Sequence, residues 1–173
     1  MAMTLSGSIR ADLSVNATNA FDLANGSVPL RNTQTQSIDS TAGTITCNLL
    51  YQVEGTLIAN ATDNIDLDSV LYDYWHGALD YDEVYAIYFR NTTVGATAGN
   101  SVIAIGANAT PFPWCFGNPA ACIINVAPGG FILSNCGVDA GWAVGAGATD
   151  ILDIDNTDGA NSATYELIII GKE

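Results

Sequence analysis

Few side chains in this sequence are placed to do chemistry. His76 is the single histidine. It sits between Trp75 and Gly77, with Asp73 and Asp80 nearby. A histidine beside a carboxylate can move protons in acid–base catalysis. Nothing completes such a site. There is no Gly-x-Ser-x-Gly elbow for a serine nucleophile. His76 would be the sole base for any of the four cysteines, Cys47, Cys115, Cys122 and Cys136. The cysteines form no Cys-x-x-Cys pair, so their spacing argues against structural zinc. They read as small buried apolar residues. A Cys115–Cys122 or Cys122–Cys136 bridge is open to them in an oxidising setting.

Carboxylates come in two groups, Asp63, Asp66 and Asp68, and Asp150, Asp153, Asp155 and Asp158. The second, DILDIDNTDG, is out of step with a calcium loop and lacks its closing glutamate. On a strand, Asp153 and Asp155 share a face and would suit an oxygen-only cation site. A solvated strand face accounts for them more simply. Glycosidase chemistry needs two opposed carboxylates, and sugar binding usually adds aromatic platforms. Trp75, Trp114 and Trp142 lie in three separate segments, so glycan binding stays an alternative. The glycine-dense Gly141 to Gly147, GWAVGAG, lacks the spacing and following helix of a nucleotide loop. The Asn-x-Ser/Thr triplets at Asn16, Asn25, Asn60, Asn91 and Asn108 read as composition, because no signal peptide precedes them. We therefore expect no enzyme, no catalytic residue, no cofactor and no metal.

The elements that must carry these residues are β-strands. Hydrophobic residues make up 49% and charged residues 13% of the 173, a balance that folds. The length suits one domain with a sizeable core. Seventeen glycines and only four basic residues, Arg10, Arg31, Arg90 and Lys172, point to a loop-rich all-β chain. A net charge of −14 repels phosphate backbones, which argues against nucleic acid. No apolar run reaches the roughly eighteen residues of a membrane span. MAMTLSGSIRADLS has neither the basic nor the apolar region of a signal peptide, so synthesis in a cytoplasm is expected.

Along the chain, Thr4 to Val15 reads as one strand, with a possible break at Gly7. Asn16 to Ser40 is loop-like around Pro29, with Val28 to Arg31 and Thr35 to Ile38 able to pair weakly. Thr44 to Val53 is a strand, followed by a return over Thr56 to Ala61. Glu54–Gly55 is either a hairpin turn or a bulge. Ile65 to Asp68 alternates as a half-buried strand. Tyr81 to Val84 suggests one helical turn, and Val84 to Arg90 a strand. Ser101 to Gly106 is a short strand. Asn108 to Ala121 holds Pro111, Pro113 and Pro119, so it is a loop or an edge. Its Phe112, Trp114 and Phe116 would form a contact patch if exposed, or cap one end of the core if folded back. Cys122 to Glu173 contributes four short apolar runs. Pro128-Gly129-Gly130 is a strong turn there, and Asp158-Gly159 a hairpin turn. About eight strands with regular turns describe a β-sandwich or barrel.

Five segments resemble a group of small structural proteins common in tailed bacteriophages and prophages. They are Leu57 to Asp73, Ile87 to Thr92, Pro128 to Leu133, Gly141 to Val144, and Thr164 to Gly171. Their counterparts there are a "LAASATEDLDLAGSL" segment, an "IKN" strand end, a "PGG" turn, "GWAV" or "GYAV", and a final "TYEIIIIG". The likeness covers about two thirds of the chain. It leaves out the first forty residues, the cysteines and the PFPWCF loop. It implies a virion structural protein, a cement or decoration protein on the capsid. Such proteins are commonly β-rich trimers seated at local threefold points. We therefore expect a jelly-roll-like antiparallel β-sandwich over residues 41–173, behind an N-terminal arm and loop region over residues 1–40. The expected partners are the major capsid protein and further copies of the chain, without nucleic acid or membrane. The expected location is the capsid surface of a virion made in a bacterial cytoplasm. Expected contact residues are Leu5, Ile9, Arg10, Trp75, Phe112, Trp114 and Phe116. A tail or fibre module that binds host-surface glycans is the alternative.

Overall fold

A computed structural model describes residues 5–21, 24–39, 47–68, 71–73, 77–94, 101–106, 112, 123–136, 140–145, 147 and 149–173. For 15–21, 24–30 and 38–39 the description is of backbone alone. The first two strands, β1 (Ser6–Phe21) and β2 (Ala24–Asp39), form a sheet of their own. Then come β3 (Leu49–Leu57), β4 (Thr62–Asp66), the short pair β5 (Leu71–Tyr72) and β6 (Ala78–Leu79), and β7 (Glu83–Asn91). They are followed by β8 (Ile103–Ile105), β9 (Ile124–Val126), β10 (Phe131–Asn135), β11 (Trp142–Ala143), β12 (Ile151–Asn156) and β13 (Ala163–Lys172). There is no helix among the described residues.

The chain is all-β, and two antiparallel sheets make the sandwich. One runs β10-β7-β13-β3, with β11 continuing along β7, and the other runs β4-β12-β8-β9. Setting β5, β6 and β11 aside, eight strands remain, and their pairing is nested. The first pairs with the last (β3 with β13), and the second with the second-last (β4 with β12). The third pairs with the sixth (β7 with β10), and the fourth with the fifth (β8 with β9). That is one long hairpin wound around itself. Two further pairings, β7 with β13 and β8 with β12, close the roll. This nesting is the jelly-roll topology.

Period-two alternation drives the packing. On β13, Ala163, Tyr165, Leu167, Ile169 and Gly171 are buried, and the residues between them are half-buried. The inward set joins Ile87 and Phe89 of β7 and Leu49 and Leu57 of β3. Ile65, Ile103, Ile105, Val126, Leu152 and Ile154 meet it from the other sheet. At the usual worth of ~25 cal/mol per Å² of apolar surface removed from water, this contact is the main stabilising element. The rings of Phe89 and Tyr165 stack inside it at 5.8 Å.

Several local expectations change. Where it is described, Asn16 to Ser40 is strand and not loop, since Ala24–Asp39 pairs with β1 residue by residue, from Phe21↔Ala24 to Ser6↔Asp39. Its polar composition hides a strand held by pairing instead of burial. Glu54–Gly55 is neither hairpin nor bulge, because β3 runs unbroken along β13 with Tyr165 opposite Gly55. Glycine is needed there because a β-carbon would overlap the Tyr165 ring. Tyr81 to Val84 makes no helical turn. Tyr81 N–H bonds to Leu67 C=O and Asp82 N–H to Lys172 C=O, an extended link into β7. Pro128-Gly129-Gly130 does turn, with Gly129 at φ 78° and Gly130 N–H on Ala127 C=O. Glycine takes that φ without the Cβ penalty. The turn and the Asp158-Gly159 segment both carry the chain from one sheet to the other, so neither closes a hairpin.

Candidate functional site

The chemically able residues do not converge. His76, Trp75, Trp114, Phe116, Cys115 and Cys122 lie outside the described residues. Among the described residues no three of His, Cys, Asp and Glu are placed to hold a metal ion. The aspartates are engaged in structure. Asp63 accepts a hydrogen bond from the Tyr165 hydroxyl, tying β13 of one sheet to β4 of the other. Burial, then this bond and charge, push the Tyr165 hydroxyl pKa upward. Asp155 accepts from the Thr62 hydroxyl across the β4–β12 pair. Asp66 accepts from Asp68 N–H, and Asp150 from Gly147 N–H at 2.7 Å. Asp158 accepts from the Asn161 amide, the N–H groups of Ala160 and Asn161, and the Ser101 hydroxyl. The Asn161 amide and Ala160 N–H hold its carboxyl below the usual range. Slight burial, then Asp80, Asp150, Asp66 and Asp82, push Asp68 upward, so this end of the sandwich is strongly negative.

Two buried asparagines stitch the sheets. Asn91, at the end of β7, donates to Ser101 C=O at 2.8 Å and Val126 C=O at 2.9 Å. Its carbonyl accepts from Thr93 N–H at 3.1 Å. Asn156, at the end of β12, donates to Ile58 C=O at 3.0 Å and Asn161 C=O at 2.8 Å. Its carbonyl accepts from Asp158 N–H. Both amides satisfy main-chain groups that would otherwise be buried without partners. Asn91 is the asparagine of a glycosylation triplet, yet its amide is fully enclosed.

The contact candidates separate into two kinds. Phe112 is folded back: it is 1% exposed, and its ring lies edge-on to Trp142 at 6.4 Å. It offers no surface to a partner, and Trp142 is not a free platform for a sugar ring. Leu5, Ile9 and Arg10 belong to the ribbon side. Leu5 and Ile9 pack with Cys136 and Ile170 around Cys47 and Tyr85, on the outer face of the five-stranded sheet. Tyr85 reaches that face through a register slip, because Ile170 pairs with Ala86 while Gly171 pairs with Val84. Its hydroxyl donates to Glu83 Oε2 at 2.8 Å, which Lys172 and Gly141 N–H also approach. Burial opposes ionisation of Glu83, but these three donors win and lower its pKa. Burial also pushes the Cys47 thiol up to about 11, which keeps it protonated and unreactive.

Residues 10–14 of β1 and 31–35 of β2 are exposed, so neither face is covered there. Arg10 pairs only locally, with Asp12 at 2.7 Å. Leu13 is 54% exposed. Register puts Ile9, Ala11 and Leu13 opposite Gln36, Gln34 and Asn32. By alternation those positions share one face. The opposite face holds Ser8, Arg10, Asp12 and Ser14 against Ser37, Thr35, Thr33 and Arg31. Where the ribbon leaves the body, a cleft of ≈ 250 Å³ opens between Ile9, Ala11, Gln34 and Gln36 and the edge residues Leu133 and Asn135.

A second feature is absent from the sequence expectations. The outer face of the five-stranded sheet carries the row Leu133, Tyr88 and Ile168, with Phe131 in the next row. Phe131 is 66% exposed, and its ring lies 6.4 Å from that of Tyr88. The signal was the unbroken LIII of Leu167 to Ile170. A strand with one wet face alternates, whereas apolar residues on both faces announce a covering on each side.

Four of the five segments that carry the phage-like resemblance meet in this sheet, where Ile87 to Asn91 ends β7, Phe131 begins β10, Trp142–Ala143 is β11 and Thr164 to Gly171 fills β13, while the fifth, Leu57 to Asp73, carries β4 of the other sheet and β5. Comparison with protein-family models, curated proteins and solved structures gives no significant match.

Proposed function

We propose that this chain is a non-enzymatic structural protein of a tailed-bacteriophage virion, a cement or decoration protein on the outer surface of the capsid. The major capsid protein is its partner, and the host cytoplasm its place of synthesis. The observation that carries the reading is the two-stranded ribbon. Sixteen residues per strand span ~50 Å at the usual rise per residue. Two strands with water on both faces are marginal by themselves. Ordering such a ribbon costs about 1–2 kcal/mol per residue, and residues 10–14 and 31–35 are exposed on both faces. A covering surface elsewhere supplies what is missing. The jelly-roll body, with Asp63, Asp150, Asp155 and Asp158 engaged in turns and clasps, is the platform for it. The sequence resemblance adds the capsid as setting.

The mechanism is mass action on the shell. A protein bound across neighbouring shell subunits must be stripped before they separate. At a free concentration 100 times its Kd, it stabilises the assembled state by about 2.7 kcal/mol per site. The test uses shells that lack the chain. Full-length protein should co-sediment with them and raise their temperature of DNA release, while protein without residues 1–39 should do neither. Equal heat and pressure stability with and without the protein would overturn the reading.

A further inference from the structure

We propose that the exposed ribbon of one copy docks on the outer face of the five-stranded sheet of a second copy of this chain. The capsid reading is not needed for this, and the test uses the protein alone.

The packing mode already exists within one copy. Leu5 and Ile9 at the ribbon base lie on the outer face of that sheet, against Tyr85 and Ile170. The ribbon face that begins with Ile9 continues through Ala11 to Leu13, which is more than half exposed. The sheet face that begins with Ile170 continues through Ile168 and Tyr88 to Phe131, which is also more than half exposed. Each copy thus extends two apolar strips beyond the point where they meet, the one on the ribbon flanked by Gln34 and Asn32 and the one on the sheet by Arg90 and Glu166. A second copy supplies the complement of both, so exchange leaves neither in water. Burying one large apolar side chain is worth about 1.5–3 kcal/mol.

Charge points the same way. Residues 1–39 carry Arg10 and Arg31 against Asp12, Asp22 and Asp39, so they are nearly neutral. Residues 40–173 carry fifteen acids against Arg90 and Lys172. Two bodies repel each other, and the ribbon is the element that approaches a body with least repulsion. The sheet face it would meet presents Glu54 and Glu166 directly opposite each other, one strand beyond Arg90. Like charges so placed are unfavourable. Arg10 and Arg31 stand on the opposite face of the ribbon, so they ease this repulsion at a distance and not by direct ion pairs.

The test is sedimentation velocity of the purified full chain from about 1 to 100 µM. The expected result is reversible association that tightens as salt screens the bodies' repulsion. Leu13→Lys and Phe131→Glu should each sediment as monomers. Mixed one to one they should associate again, because the Phe131→Glu copy keeps an intact ribbon and the Leu13→Lys copy an intact sheet face. Recovery on mixing cannot come from misfolded variants. A wild-type chain that stays monomeric at 100 µM overturns the proposal, even if it binds shells, since the shell would then be the covering surface. So do single variants that associate as well as wild type, or a mixture that stays monomeric.

Discussion

Asn91→Asp changes one atom group in the amide that joins β7 to the opposite sheet. The native side chain donates to two buried carbonyls, at 2.8 and 2.9 Å, and is 0% exposed. An aspartate there would aim carboxylate oxygens at both carbonyls, so the folded protein takes up a proton. The neutral acid can bond one carbonyl and leaves the other unsatisfied, at ~1–3 kcal/mol. Holding a proton at pH 7 against an unfolded pKa near 3.9 adds about 4 kcal/mol, at 1.36 kcal/mol per pH unit. At pH 4 that second cost falls below ~1 kcal/mol. The sign follows from linkage: a folded pKa raised above the unfolded value gives stability that is present at low pH and lost as pH rises. Urea unfolding of wild type and variant at pH 7 and pH 4 reads the difference. We expect a loss of about 5–7 kcal/mol at pH 7, a large part of the ~5–15 kcal/mol typical of a domain, and a loss of about 2–3 kcal/mol at pH 4. A loss under ~1 kcal/mol at pH 7, or one that does not change with pH, would show that Asn91 is no inter-sheet clasp.

Gly55→Ala should cost about 1–3 kcal/mol by overpacking, because its β-carbon overlaps the Tyr165 ring and displaces the hydroxyl from Asp63. In a Tyr165→Val background Gly55→Ala should cost less than it does in the wild type, read as the difference between paired thermal melts, and an equal cost in both backgrounds would refute the contact. Asp158 has its carboxyl held low by Asn161 and Ala160, so its contribution is present above the ordinary carboxyl range near pH 4 and fades as pH falls below it. The melting-temperature gap between wild type and Asp158→Asn should therefore be widest at neutral pH and narrow below about pH 3, whereas a constant gap would contradict the assignment.

The sequence shows the strands better than their arrangement. The aromatic, β-branched run of β7 and the alternation of Tyr165, Leu167 and Ile169 are visible as residue patterns. The nested pairing is not, because nothing local records that Leu49 will lie beside Gly171. β2 shows only as two weakly pairing pieces, Val28 to Arg31 and Thr35 to Ile38, because the polar residues around them have turn composition and only their partners on β1 make one strand of them. Gly55 reads as punctuation when its function is to admit a ring from the neighbouring strand. Asn91 and Asn156 look like loop residues at strand ends, since enclosure by main-chain carbonyls leaves no trace in composition. The contact set divides on the same grounds. Leu5, Ile9 and Arg10 fall on the ribbon side, the first two against the chain's own sheet. Phe112 goes inward because an apolar ring in a proline-rich loop serves a core or a partner equally well. Phe131, the most exposed large side chain of the outer sheet face, hides after a Pro-Gly-Gly turn that draws attention to itself.

The acidity of the body and the length of the ribbon belong to one physical problem. Unpaired strand edges are templates for association with any other chain. In the sandwich the exposed edges are short or charged: three residues in β9, five in β4 and in β10, and Glu54 on β3. The ribbon has no such protection, since among the described residues no third strand pairs with β1 or β2 along sixteen residues of either. A body with fifteen acids and two bases keeps copies apart by long-range repulsion. Contact then forms only where apolar area and main-chain pairing outweigh that repulsion, on a surface shaped for the ribbon. High net charge here opposes the association that a long ribbon with unpaired edges would otherwise favour.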